Sequence, residues 1–149
     1  MTPDAVFQFA NTLVLPHWLL MVVAPRWRPT QWLAKYLPIP VVLALLYIYY
    51  LFFGGESSLD FQSFNSLQGV KSLFKADTAV LAGWIHYLAF DLVVGSWILR
   101  SSQKRKINHW LIIPCLFFCF MLGPVGFLLY WIIRQISTQP SSRETDLDD

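Results

Sequence analysis

Four runs of this chain carry almost no charge, and each is about as long as a bilayer is thick. Twenty-one uncharged residues separate Asp4 from Arg26, and twenty separate Lys35 from Glu56. The 22 residues from Thr78 to Leu99 hold one acid, Asp91, and the 27 from Ile107 to Ile133 hold no charged residue. About 20 helical residues, each rising 1.5 Å, cover a hydrocarbon core ~30 Å thick. In that core a helix satisfies its own backbone hydrogen bonds and an irregular segment does not.

Composition agrees. Charged residues make up 13% of the chain and hydrophobic residues 56%, where a soluble domain averages about 25% charged. A chain of 149 residues with so few acids and bases cannot cover the large relative surface of a small soluble domain. The same numbers exclude a disordered chain, which needs low hydrophobicity. Two cysteines exclude a disulfide-stapled module, and a net charge of +2 gives no footprint for nucleic acid.

The expectation is therefore an all-α membrane protein, a four-transmembrane-helix bundle over residues 1–136. Its helices are expected at about 5–25, 37–54, 77–99 and 108–133, with an acidic tail over 137–149 expected to be disordered. The first run lacks a basic leader and ends in Pro25-Arg26-Trp27 rather than at a small-residue cleavage site, so it reads as a retained helix. In the second loop Phe61, Phe64, Leu67, Val70, Leu73 and Phe74 recur at helical spacing. That predicts an amphipathic interfacial helix over about 60–75. It acts either as a loop tethered to lipid or as a lid over a lateral opening.

With four spans, the first and third loops share one side of the membrane. That side holds Arg26, Arg28, Lys35, Arg100, Lys104, Arg105 and Lys106 and no acid. The positive-inside rule makes it cytoplasmic and places both termini outside. Trp18, Trp27, Trp32, Trp84, Trp97, Trp110 and Trp131 fall mostly toward helix ends, as an aromatic belt requires.

Ionisable residues at membrane depth are the informative ones, because they are costly there and normally face an interior or a cavity. Asp91 lies fourteen residues past Asp77, which is expected to cap the third helix. Gly83, Tyr87, Asp91 and Gly95 recur every four residues and share a face. Small residues there permit close helix approach, and Tyr87 can reach Asp91. His86 lies about 140° round from Asp91. His17 has a similar fractional depth in the first helix, so a His17–Asp91 pair is geometrically allowed. His86, Tyr47 and the Gly123-Pro124 step are expected near one another, somewhat further out. Pro124 removes a backbone donor and the glycines allow a break in the fourth helix. Pro16 can kink the first helix in the same way. Such a cluster serves either as a structural tie or as an acid–base site. Cys115 and Cys119, one turn apart, read as packing. His17, His86 and Asp91 lack metal-ligand spacing, so no metal is expected.

Phe74-Lys75-Ala76-Asp77-Thr78-Ala79, Trp84-Ile85-His86-Tyr87, Asp91-Leu92, Gly95-Ser96-Trp97-Ile98 and Gly123-Pro124-Val125-Gly126 together resemble the abscisic-acid-deficient-four-like family of integral membrane proteins. The likeness runs from about Phe7 to Ile136. The plant member is associated with neoxanthin synthesis, so the resemblance implies a carotenoid or isoprenoid epoxide isomerase. Opening an epoxide to an allenic alcohol moves protons without net redox change, so no cofactor is expected. Asp91 and His86 are the expected acid and base. Tyr87 would orient Asp91, and His17 would tune or replace a partner. Asn11, Tyr47, Trp84, Gly123 and Pro124 are the expected substrate-binding residues, lining an aromatic groove open to lipid.

The expected partners are membrane lipids and a hydrophobic carotenoid-like ligand, with a homo-oligomer or carotenoid-pathway enzymes as further candidates and no nucleic acid. Plant members carry a plastid transit segment that this sequence does not show. The resemblance thus implies a multi-pass protein of a bacterial inner membrane, or of a cyanobacterial thylakoid or plasma membrane. The alternative is a non-catalytic carotenoid- or lipid-binding scaffold. A small-molecule transporter is a weaker third reading.

Overall fold

The computed structural model describes residues 2–54 and 61–137. Among these every regular element is helical: α1 (Pro3–Val23), α2 (Arg28–Tyr36), α3 (Pro38–Phe53), α4 (Leu67–Leu73), α5 (Asp77–Lys104), α6 (His109–Leu122) and α7 (Pro124–Ser137), with a 3-10 turn at Phe61–Asn65. Three stretches are long and apolar enough to cross a membrane: Pro3–Val23, Arg28–Phe53 and Asp77–Lys104. The acidic tail lies outside the described residues.

Local chemistry sets the helix ends. Thr2 caps α1 by accepting from the Ala5 amide at 3.3 Å, and Pro3 occupies the first turn, where a missing N–H costs nothing. Asn108 caps α6 through the Trp110 amide at 3.1 Å. Asp77 does not cap α5 as expected. Ala76 holds that position without a side-chain bond, and Asp77 stands in the first turn, where its charge still complements the helix dipole. Pro16 lies inside a continuous α1.

The first loop was not expected to be helical, yet it forms α2. This helix buries Thr30 and Ala34 and packs against α1 and against the end of α5, where Gln31 donates to Gln103 at 2.9 Å. It stops because Leu37 is left-handed, at φ 52°, and Pro38 follows to begin α3. The helix expected over about 60–75 is the 3-10 turn plus the seven-residue α4, capped by Ser66.

α5 is the hub. It packs against α1, α2, α3, α6 and α7. α1 runs parallel to it: Asn11 meets Trp84, His17 meets Ser96, and the Pro25 carbonyl meets Gln103. α3 returns beside α5, bringing Tyr47 and Tyr50 to the Ala79–His86 stretch. Met21, Leu43, Ile85, Leu92, Ile98, Leu99, Ile112 and Leu116 are fully buried between the helices. Large apolar side chains such as Leu19, Leu45, Phe53 and Phe90 stay on the outside, as a lipid-facing surface requires.

The expected helix over 108–133 is two helices of 14 residues each, α6 and α7, broken at Gly123. The Gly-Pro break was legible, but its result is a reversal rather than a kink. Gly126 lies so close to Cys115 and Cys119 of α6 that a Cβ there would collide with their backbone. A continued helix would carry residue 126 about 16 Å beyond residue 115, so this contact requires α7 to fold back. Tyr130 then donates to Ser101 Oγ at 2.7 Å, near the end of α5 where α6 began. The α6–α7 pair is thus an antiparallel hairpin whose tip lies against the middle of α5. Each arm is about 21 Å long, short of a ~30 Å core. The described chain consequently begins and ends at opposite ends of the bundle, contrary to the expectation of termini on one side.

Candidate functional site

Asp91 is the fifteenth of the 28 residues of α5, and the hairpin tip sits on it. A Cβ at Gly123 would lie 2.6 Å from Asp91 Oδ1. Gly123 also has φ 45°, in the region that favours glycine. The thiol of Cys119 donates to the Asp91 carbonyl at 3.6 Å. Tyr87, one turn away, donates to the Met121 carbonyl at 3.1 Å and interacts with the Asp91 carboxyl group. Breaking a helix leaves its last carbonyls without amide partners, and Tyr87 satisfies one of them. Asp91 Oδ2 is buried with no hydrogen-bond partner in the structure. The carboxyl group lies beside Gly123, the residue that precedes α7. Asp91, Tyr87 and Gly123 therefore do come together, as a lock on the hairpin tip.

His17 is not part of this group. In place of the pairing with Asp91 that depth allowed, Nε2 contacts Ser96 Oγ at 3.4 Å, and Nδ1 is buried without a partner. The estimate of equal depth fails because α1 meets α5 one and a half turns further along, where the Trp18 ring fills the space beside Gly95. Trp18 is accordingly a core residue, 6% exposed, and not a belt anchor.

His86 lies on another face of α5. Its ring stacks on Phe90 at 4.6 Å and stands 5.5 Å from Tyr47. The expected nearness of His86 and Tyr47 is met, while Gly123 and Pro124 belong to the Asp91 side. His86 lines a cavity of about 240 Å³ with Tyr47, Tyr50, Phe64, Phe74 and Gly83. Tyr50, Phe64 and Phe74 were not singled out as ligand-facing from sequence, although Phe64 and Phe74 stood in the amphipathic pattern of the second loop. The 3-10 turn and α4 thus close one side of the cavity. Asn11 accepts from Trp84 Nε1 at 3.0 Å. These two expected substrate-binding residues are bonded to each other across α1 and α5.

Cys115 and Cys119 are buried and free, and they give α7 its close approach at Gly126. Among the described residues no three His, Cys, Asp or Glu side chains gather in a group that could hold a metal ion.

The described site has two parts: a carboxyl group locked against a helix break, and an aromatic cavity with one imidazole. A family model described as ABA DEFICIENT 4-like matches residues 5–130. Among curated proteins, Protein ABA DEFICIENT 4, chloroplastic, of Arabidopsis thaliana is 27% identical over 140 residues, which covers 89% of this chain and 62% of the relative. The chain thus spans about three-fifths of that relative's length. No solved structure matches.

Proposed function

The chain belongs to the ABA DEFICIENT 4-like family, and from that premise we propose that it is a membrane-embedded protein of carotenoid metabolism. Its reading is that the cavity beside His86 holds one end of a carotenoid-like lipid. The observation that carries this is the cavity itself: about 240 Å³, lined by tyrosines, phenylalanines and one imidazole. Ordinary small-molecule sites measure ~300–1,000 Å³. A smaller, largely aromatic site with one imidazole suits a ring at the end of a long chain, with the rest of the molecule lying along the lipid-facing helices.

In the bilayer α1, α3 and α5 cross, and α6–α7 enters from the basic end and returns to it. Irregular backbone at the hairpin tip is then buried against Asp91 and Tyr87, as membrane depth demands. The positive-inside rule puts Arg26, Arg28, Lys104 and Lys106 in the cytoplasm or its organellar equivalent. The N-terminus lies on the other side, and Ser137 on the basic side.

The chemistry this supports is an epoxide isomerisation. A proton reaches the epoxide oxygen as its C–O bond breaks, and a proton leaves carbon so that its electron pair forms the new double bond. Atoms and electrons balance without a redox partner. An imidazole both donates and accepts protons, and the His86 ring stands 5.5 Å from that of Tyr47, whose hydroxyl is a second possible donor. Asp91 is placed here as the residue that holds the hairpin rather than as the second acid–base group.

One observation favours the second reading, a binding scaffold without catalysis. Asp91 and His86 face different neighbours, so the expected acid–base couple does not share one cavity. Purified protein incubated with an epoxy-xanthophyll separates the readings. Rearranged product supports the isomerase, retained unchanged pigment supports the scaffold, and neither product nor binding contradicts both.

A further inference from the structure

A second, larger cavity lies at the basic end, far from His86. It is an open cleft of about 1320 Å³ between the end of α1, the Arg26–Trp27 turn, the end of α5 and the first turn of α6. Two carbonyls on its wall, those of Val22 and Pro25, already accept hydrogen bonds. Gln103 donates to the Pro25 carbonyl at 2.9 Å, Gln31 donates to the same carbonyl, and His109 Nε2 donates to the Val22 carbonyl at 2.9 Å.

Its cations are not occupied. Arg26 and Lys106 line the cleft, both exposed, and neither makes an ion pair among the described residues. No carboxylate occurs in residues 22–31 or 100–113. The chain reversal that presents Lys106 is specific. Lys106 is left-handed at φ 56°, with its amide bonded to Gln103 and the next amide to Ser102, the pattern of a Schellman motif. Trp27 and Trp110, 56% and 78% exposed, flank the opening, as residues at headgroup level do.

A cleft with two cations free, no carboxylate in the segments that line it and indoles at its mouth selects an anion at the membrane interface. We propose that it binds the phosphate of an anionic lipid headgroup between Arg26 and Lys106. The bound lipid joins the α1–α2 turn to the α5–α6 reversal and so fixes the root of the hairpin.

The test is native mass spectrometry of the full chain offered equimolar phosphatidylglycerol and phosphatidylcholine. Two cations near the surface give a preference of about thirtyfold for phosphatidylglycerol. R26Q/K106Q should bring it close to parity, and R26K/K106R should restore it. R28Q, which removes a base at the same end but outside the cleft, should leave it unchanged. Displacement of the lipid by inorganic phosphate would keep the phosphate site and assign its ligand to solution. Equal retention of both lipids by the wild-type protein overturns the proposal. So does a preference that survives R26Q/K106Q, or one lost equally in R28Q.

Discussion

Tyr130 of α7 donates a 2.7 Å hydrogen bond to Ser101 of α5, so the last described helix runs back toward the end of the fifth one. That bond decides the course of the chain. With Gly123 against Asp91 halfway up the same helix, α7 has one direction open to it, back toward the basic end. The expected outcome is that reporters fused at the N-terminus and after Ser137 lie on opposite sides of the membrane. A reporter after Ser137 should be active in the same compartment as one inserted between Lys104 and Lys106. Both termini reporting from one side contradicts the hairpin.

The hairpin depends on Gly126. A side chain there meets the backbone of Cys119 and Cys115, which cannot retreat as a side-chain tip can. Gly126→Val should destabilise the protein by about 1–3 kcal/mol, the usual cost of overpacking. Thermal unfolding in detergent reads this directly. A variant as stable as the wild type means that the arms do not touch there.

Tyr87→Phe tests the lock at the tip. It removes the donor to the Met121 carbonyl and leaves that acceptor unpaired at depth. A loss of about 1 kcal/mol is expected, with faster exchange of amides in residues 119–127 by hydrogen–deuterium measurement. Exchange unchanged in that segment counts against the lock.

The legible part of this fold was the apolar runs, the helix break at Gly123-Pro124 and the packing role of the two cysteines. The sense of the break was not legible, because Gly-Pro permits either a kink or a reversal. Gly126 spaced against Cys115 and Cys119 decides between them, and that is a tertiary contact. α2 was not legible because Arg28, Pro29 and Lys35 read as a polar loop, while the two residues it buries, Thr30 and Ala34, are small and one of them is polar. At the site, the Tyr47–His86 neighbourhood followed from depth alone. The His17–Asp91 pairing did not, because equal depth says nothing about which face of α5 each neighbour meets.

His17 illustrates the difference between a buried polar residue and a functional one. It is fully buried with only Ser96 Oγ in reach of its ring nitrogens. Replacing both partners by apolar residues of similar shape is often near neutral. His17→Leu with Ser96→Ala should therefore change stability by less than about 1 kcal/mol and leave pigment binding intact. Loss of binding at unchanged stability would return His17 to the functional site.

The most direct measurement is a titration of an epoxy-xanthophyll into the purified protein in lipid nanodiscs, followed by the pigment's absorption. His86→Ala removes the one imidazole of the cavity, and Gly83→Leu fills it from the same wall. Both should weaken binding about tenfold or more, equivalent to ~1.4 kcal/mol, while Asp91→Asn changes it less than about twofold on the same scale. Wild-type affinity in His86→Ala and Gly83→Leu, with binding lost in Asp91→Asn, would place the ligand at the hairpin tip and contradict the cavity as its site.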